Sequence, residues 1–67
     1  MEIFANRLNT LLKENKITMY RLAKDFGCSK ATILNWCYGK CSPKAQEIVK
    51  VALYFGVSAD YLLGLED

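Results

Sequence analysis

The stretch LAKDFGCSKATILNW, residues 22–36, decides the fold of this 67-residue chain. Apolar side chains recur every three or four residues on both sides of a short break, which predicts two helices joined by a tight turn. In that turn, Gly27 fits a helix end, because glycine adopts the left-handed conformation at little cost, and Ser29 fits a helix cap. Helices joined by so short a turn cross at a large angle, so the second helix can project from the body.

Turn signals elsewhere predict an all-α chain of five short helices. We expect helices over about residues 2–15, 19–26, 30–38, 43–55 and 59–64. Thr18 and Ser58 are the predicted N-caps of the second and fifth helices. Ser42-Pro43 predicts the start of the fourth, since a hydroxyl can cap and proline suits the first helical position. Residues 1–67 contain no repeat or linker, so we expect one compact domain.

Composition favours a folded protein without a membrane partner. Hydrophobic residues make up 52% of the chain and charged residues 24%, which is typical of globular domains. No apolar run approaches the roughly 20 residues of a membrane span. The N-terminus has no basic segment followed by an apolar block, so no signal peptide is expected. We therefore expect a cytoplasmic protein.

The three cysteines indicate neither a disulfide framework nor a metal site. An odd number of cysteines fits a reducing compartment, and zinc normally needs four Cys or His ligands, whereas the chain has no histidine. Cys28 and Cys37 are expected to pack in the interior. Cys41 falls in a predicted loop as an exposed thiol, which leaves redox sensing as an alternative role. We expect no metal and no cofactor.

Positive charge is concentrated in the middle of the chain. Residues 16–44 have a net charge of +5, residues 1–15 are neutral, and residues 45–67 have a net charge of −3. Such an asymmetry suits a polyanionic partner on one side of the molecule.

The predicted helix over 30–38 has a polar side that suits DNA. Its inward face is predicted to hold Ile33, Trp36 and Cys37. The other side then carries Lys30, Ala31, Thr32 and Asn35. Lysine can donate a hydrogen bond to guanine, and threonine can bond to a base edge. Asparagine can donate to and accept from adenine at once, and alanine can contact a thymine methyl.

The ends of the same predicted helix suit phosphate. Ser29 and the free amides of the first turn can hold a phosphate. Lys40 and Lys44 follow the helix as natural phosphate contacts. Alternatively, all these residues are only the solvated face of a small helical bundle, since any exposed helix face is polar. The glycine turn and the local charge favour DNA.

Residues 22–36 and the tail VALYFGVSADYLLG, residues 51–64, resemble the helix-turn-helix of the phage repressor and Cro class, the Xre family. The resemblance extends from the first helix to Gly64. It implies a lambda-repressor-like fold of five helices, with 30–38 as the recognition helix. Members commonly bind a double-stranded DNA operator as dimers and regulate transcription, which implies a transcriptional regulator, more often a repressor.

The resemblance also assigns contacts by position. It gives base reading to Lys30, Ala31, Thr32 and Asn35. It places Thr18, Met19, Ser29, Lys40 and Lys44 nearest the sugar-phosphate backbone. Three positions depart from the family. Met19 stands where glutamine often touches a phosphate, Cys37 where glutamate is common, and Leu34 where a polar residue is usual. Leu34 can meet thymine methyls, pack on a partner or simply be exposed.

Apolar residues near the C-terminal end bear on the partner. They are Leu53, Tyr54, Tyr61 and Leu65. Either they close the small core, or they form a symmetric interface between two copies; we expect a homodimer on paired half-sites. A different class of function is a small protein-interaction module, such as an antitoxin or anti-repressor, with secondary DNA binding. An enzyme is not expected, since no nucleophile–base pair or phosphate loop is recognisable.

Overall fold

The computed structural model describes residues 2–66 as an all-helical body of 28 × 23 × 20 Å. The helices are α1 (Glu2–Glu14), α2 (Met19–Phe26), α3 (Lys30–Cys37), α4 (Ala45–Phe55) and α5 (Ala59–Leu63). No β-strand occurs within these residues. The predicted all-α class and the five predicted helices are therefore confirmed. Met1 and Asp67, which the predicted domain includes, lie outside the described residues.

Every helix contributes at least one fully buried side chain to a common core. The largest of these side chains are Phe4, Leu8, Leu22, Ile33, Val51 and Leu62. Most of the apolar stripes predicted from periodicity face this core, because burying a stripe against the other helices removes it from water. Trp36 of α3 meets Phe4 of α1 edge to face, with ring centroids 6.3 Å apart. The recognition-helix candidate is thus fixed to the body by its inward side.

Serine and threonine caps begin three of the helices as predicted. The side chains of Thr18, Ser29 and Ser58 each accept a hydrogen bond from the backbone N–H three residues ahead. Such a bond satisfies one of the amides that a helix start leaves without a partner. Gly27 ends α2 in the left-handed conformation, with φ 70°, as expected for the turn before α3.

The predicted start of the fourth helix at Ser42-Pro43 is wrong. The α4 helix begins at Ala45, and Lys44 occupies the cap position with extended backbone angles. The backbone N–H of Lys44 donates to Oε1 of Glu47 over 2.7 Å. A Glu or Gln side chain three residues after the cap accepts from the cap residue's backbone N–H, which stabilises the helix start. With Ser42 as the cap, the same position would fall on Ala45, which has no acceptor.

Candidate nucleic-acid interface

The α3 helix has one face in the core and the opposite face in solvent. Ile33, Trp36 and Cys37 are buried, as predicted from their spacing. Ala31 and Asn35 lie four residues apart, and residues at this spacing are neighbours on one side of a helix. Because successive helix residues are about 100° apart, this side is directed away from the three buried residues. The α3 helix therefore offers one continuous outward surface.

The four predicted base-reading residues are all accessible on this part of α3. Lys30 and Ala31 are exposed, and Thr32 and Asn35 are half-buried. The Thr32 hydroxyl lies 3.1 Å from Oγ of Ser29. The backbone carbonyl of Asn35 accepts from the N–H of Lys40 at 2.9 Å. The side-chain amide of Asn35 has no hydrogen bond to any residue in 2–66, so both of its polar atoms are available to a ligand.

The first turn of α3 has the polar groups that hold an anion. The Thr32 N–H donates to the Ser29 side chain over 3.3 Å. The N–H groups of Lys30 and Ala31, ahead of Thr32, belong to the set that a helix start leaves unpaired. These amides and the positive end of the helix dipole favour a negative group there.

Removing the Ser29 cap is expected to destabilise the protein by about 1 kcal/mol. The Ser29→Ala variant loses the acceptor for the Thr32 amide, and thermal or urea unfolding measures the loss. Ser58→Ala is the comparison variant: Ser58 caps α5 in the same way and also donates to Glu66, so its loss should destabilise the protein by at least as much. If Ser29→Ala unfolds like the unmodified protein, the cap contributes nothing to α3.

Two predicted phosphate-contacting lysines follow α3 in the loop that leads to α4. Lys40 and Lys44 are exposed, and neither forms an ion pair with another residue in 2–66. Gly39 just before them has φ 73°, a conformation that glycine adopts easily and that turns the chain away from the end of α3. Both ammonium groups thus remain available to an external anion.

The start of α2 carries the other two predicted phosphate positions, Thr18 and Met19. Thr18 is exposed and its hydroxyl oxygen accepts from the N–H of Arg21 at 3.0 Å, which leaves the hydroxyl hydrogen free to donate. Met19 is half-buried and packs against the core. The side chain of Met19 therefore packs inside the fold, and the polar group at this position is the backbone amide.

One basic residue of the middle segment is neutralised within the fold. The Arg21 guanidinium pairs with Asp25 at 3.2 Å, and the Tyr54 hydroxyl donates to the same carboxylate oxygen at 2.6 Å. The Tyr54 hydrogen bond lowers the pKa of Asp25, and the Arg21 charge adds to this effect. The same bond raises the pKa of Tyr54. The sequence analysis missed this link between α2 and α4, because nothing local connects residues 29 positions apart.

Sequence reasoning also missed Tyr38 on the outward surface of α3. Its side chain is 66% exposed. Tyr38 lies three residues after Asn35 and seven after Ala31, and this helical spacing was the signal that could have found it. Leu34, four residues before Tyr38, is half-buried rather than fully exposed. An aromatic hydroxyl therefore borders the predicted base-reading residues.

The cysteines occupy the environments expected of them. Cys37 is buried, Cys28 is half-buried and Cys41 is exposed, all three as free thiols. Burial raises the pKa of Cys28 and Cys37, which keeps these thiols protonated and unreactive. Among residues 2–66, no cluster of three or more His, Cys, Asp or Glu side chains is arranged to hold a metal ion.

The four candidate interface residues divide into two kinds. Tyr54 packs edge to face on Phe26, with ring centroids 5.4 Å apart. The Arg7 guanidinium lies over the Tyr61 ring, with its central carbon 4.4 Å from the ring centroid. Both tyrosines therefore have partners within the fold. Leu53 and Leu65 are 78% and 74% exposed and remain apolar surface.

In the described part of the chain, no helix has the length and apolar character needed to cross a membrane.

Comparison with known proteins agrees with the arrangement of α2 and α3. Residues 5–67 match the protein family described as a helix-turn-helix domain. A curated relative in Bacillus subtilis (strain 168), an uncharacterised HTH-type transcriptional regulator named YobD, is 34% identical over 65 residues. That alignment covers 97% of this chain and 58% of the relative, so the chain spans little more than half of that protein. No solved structure matches the chain significantly.

Proposed function

Because this chain belongs to the helix-turn-helix domain family, we propose that it binds double-stranded DNA sequence-specifically and regulates transcription. The proposal rests on one observation above all. The outward surface of α3 presents Ala31 and the Asn35 amide, which has no side-chain partner in residues 2–66, and Lys30 is exposed in the first turn of the helix. A helix with its side chains is about 10–12 Å across, and the major groove of B-DNA is about 12 Å wide. The α3 helix can therefore enter the groove with this surface toward the bases.

Each base-reading role follows from the groups that the side chain offers. The free amide of Asn35 can donate to and accept from adenine at once, while the Lys30 ammonium can donate to guanine or to a phosphate. Ala31 allows close approach and can contact a thymine methyl. The Thr32 hydroxyl, which lies within hydrogen-bond distance of Ser29, retains capacity for one further contact to a base edge.

Phosphate contacts on both sides of α3 would fix its position in the groove. At the start of α3, Ser29 and the first-turn amides offer hydrogen-bond donors to the DNA backbone. At the start of α2, the Thr18 hydroxyl and the Met19 amide do the same. Lys40 and Lys44 add charge that is not neutralised by an ion pair within residues 2–66. Contacts of this kind set the register on the duplex and supply most of the salt-dependent affinity.

Replacing Lys44 by alanine is expected to weaken binding to all sequences alike. One lost phosphate contact reduces the slope of log K against log salt by about 0.9. The helix start should survive, because the backbone amide of Lys44, rather than its side chain, bonds to Glu47. Fluorescence anisotropy titrations at several salt concentrations measure both effects.

Lys50→Ala is the matched control for the lysine experiment. This substitution removes the same charge from the acidic C-terminal third of the chain. The Lys50 ammonium lies 5.4 Å from the centroid of the Phe26 ring. The salt slope of this variant should stay near that of the unmodified protein. A loss confined to one DNA sequence in Lys44→Ala would contradict the phosphate role.

The finer proposal is a repressor that binds as a homodimer. One small domain makes few contacts, and two copies on half-sites roughly 34 Å apart would double them. Leu53 and Leu65 support a symmetric interface because they are apolar and largely exposed. A regulator that covers an operator in this way can block transcription. The Bacillus subtilis relative is described as an HTH-type transcriptional regulator, which supports a role in regulation without specifying repression.

A second candidate function is a protein-interaction module, such as an antitoxin or anti-repressor, with secondary DNA binding. The observation that favours it is the exposed apolar surface of α4. Val49 and Leu53 are 51% and 78% exposed, and they lie four residues apart on one helix side. A partner protein could cover this surface without touching α3.

Mapping of amide resonances by NMR during a DNA titration separates the two candidates. Under the main proposal, added duplex shifts the resonances of Lys30, Ala31, Thr32 and Asn35 most strongly. The outer side of α1 should remain unaffected. If the shifts concentrate on α4 or are absent at moderate salt, α3 is not the DNA-binding helix and the protein-partner function gains support.

A further inference from the structure

We propose that Asn9 of α1 is a positioning residue that sets the orientation of α3 and, through it, the base preference of the domain. The base-preference part rests on the proposed function. Asn9 lies in the middle of α1, and the residue is exposed overall. Its side-chain amide nevertheless donates two hydrogen bonds, one to the Ala5 carbonyl at 2.9 Å and one to the Cys37 carbonyl at 2.8 Å.

The acceptor at Cys37 is a carbonyl that α3 itself cannot satisfy. The last four carbonyls of a helix have no intrahelical donor. In α3, backbone amides that follow the helix serve the first three of them. The Leu34 carbonyl accepts from the N–H of Tyr38, the Asn35 carbonyl from those of Lys40 and Cys41, and the Trp36 carbonyl from that of Gly39. The Cys37 carbonyl instead accepts from Asn9, which belongs to another helix.

Within residues 2–66, this bond is the hydrogen bond that joins α1 to α3 beside their apolar contacts. The surrounding side chains are apolar, including Leu12, Ile33 and Trp36, and burial keeps the Cys37 thiol neutral by raising its pKa. Apolar packing, such as the edge-to-face contact of Trp36 with Phe4, holds the helices together. A hydrogen bond adds the requirement of a defined angle and distance at one point. Asn9 is thus the polar contact that fixes the C-terminal end of α3 against α1.

The orientation of α3 decides where its outward side chains meet the bases. Asn9 holds one end of this helix at Cys37, two residues beyond the last predicted base-reading residue, Asn35. A paired contact to a base tolerates little misalignment, because both of its hydrogen bonds must be linear. Loss of the Asn9 bond should therefore reduce discrimination between sequences more than it reduces phosphate-based affinity.

Two variants remove the bond in different ways. Asn9→Leu keeps the approximate shape and removes both donors. Asn9→Ser retains a hydroxyl that can bond back to Ala5 but is too short to reach Cys37. The matched control is Asn15→Leu, because the Asn15 amide donates to the carbonyl four residues back, that of Leu11, at 2.8 Å without contacting α3.

The first readout needs no DNA. Residual dipolar couplings of the backbone amides report the orientation of α3 relative to α1, at a temperature where circular dichroism shows each variant fully folded. We expect the couplings of both Asn9 variants to fit only a structure in which α3 is reoriented. The couplings of Asn15→Leu should fit the unmodified structure. Couplings of both Asn9 variants that fit the unmodified structure would overturn the proposal, whatever the stability change.

The second readout is the ratio of affinities for a selected duplex and a random duplex. For the Asn9 variants we expect this ratio to fall roughly tenfold, the size of one mismatched base pair, with random-duplex binding little changed. A ratio equal to that of Asn15→Leu would overturn the link to base preference. If the unmodified protein selects no duplex at all, the proposed function fails, and the couplings still decide whether Asn9 orients α3.

Discussion

Replacing Trp36 by alanine is expected to lower the free energy of unfolding by about 3–5 kcal/mol, as is typical for a buried tryptophan. Trp36 is 4% exposed and joins the inward side of α3 to Phe4 of α1. Its removal would leave a cavity under α3 that the neighbouring helices can fill only in part. Urea unfolding followed by circular dichroism measures the change.

Two further variants make the tryptophan result interpretable. Trp36→Phe retains an aromatic ring and should lose less stability than Trp36→Ala. Tyr20→Ala also removes a large aromatic side chain, but from a 67% exposed position, so it should change stability by no more than about 0.5 kcal/mol. Trp36→Ala and Tyr20→Ala with similar unfolding curves would show that α3 is not anchored through its inward face.

The second large effect is expected in DNA reading. Asn35→Ala should lose about 1–3 kcal/mol of binding at one base-pair position and relax the preference there. Folding should be little affected, because Asn35 contributes its backbone carbonyl to the loop after α3, and alanine retains that carbonyl. Affinities for duplexes that carry each base pair at each position identify the one that is read.

The matched control is Asn6→Ala, which removes the same side chain from an exposed position on α1. This variant should leave both affinity and base preference unchanged. An unchanged preference profile in Asn35→Ala would remove Asn35 from the base-reading set, and uniform weakening on all duplexes would assign it to the phosphate backbone instead.

The features of the fold that could be predicted from sequence are the local ones. Thr18 and Ser29 cap their helices and Gly27 ends α2, because the residue types that satisfy helix ends are few. Spacing alone placed Ile33 and Trp36 in the core. The same logic failed at Ser42-Pro43, where two acceptable helix starts compete and the carboxylate of Glu47 favours the later one.

Contacts between distant residues could not be predicted. Nothing near Asn9 in the sequence indicates that its amide reaches Cys37, 28 residues later. The pairing of Asp25 with Tyr54 is equally non-local. For the candidate site, periodicity and turn geometry identified the outward residues of α3, while Tyr38 was overlooked because it follows the last apolar residue of the stripe.

The most direct test of sequence-specific DNA binding is selection of bound duplexes from a random library at near-physiological salt. We expect recovery of a two-fold symmetric site, with half-sites about one helical turn apart and a preference in each half-site that Asn35→Ala relaxes. Recovery of no common sequence, with binding that disappears as salt rises, would contradict sequence reading by α3 and leave only non-specific attraction to a basic surface.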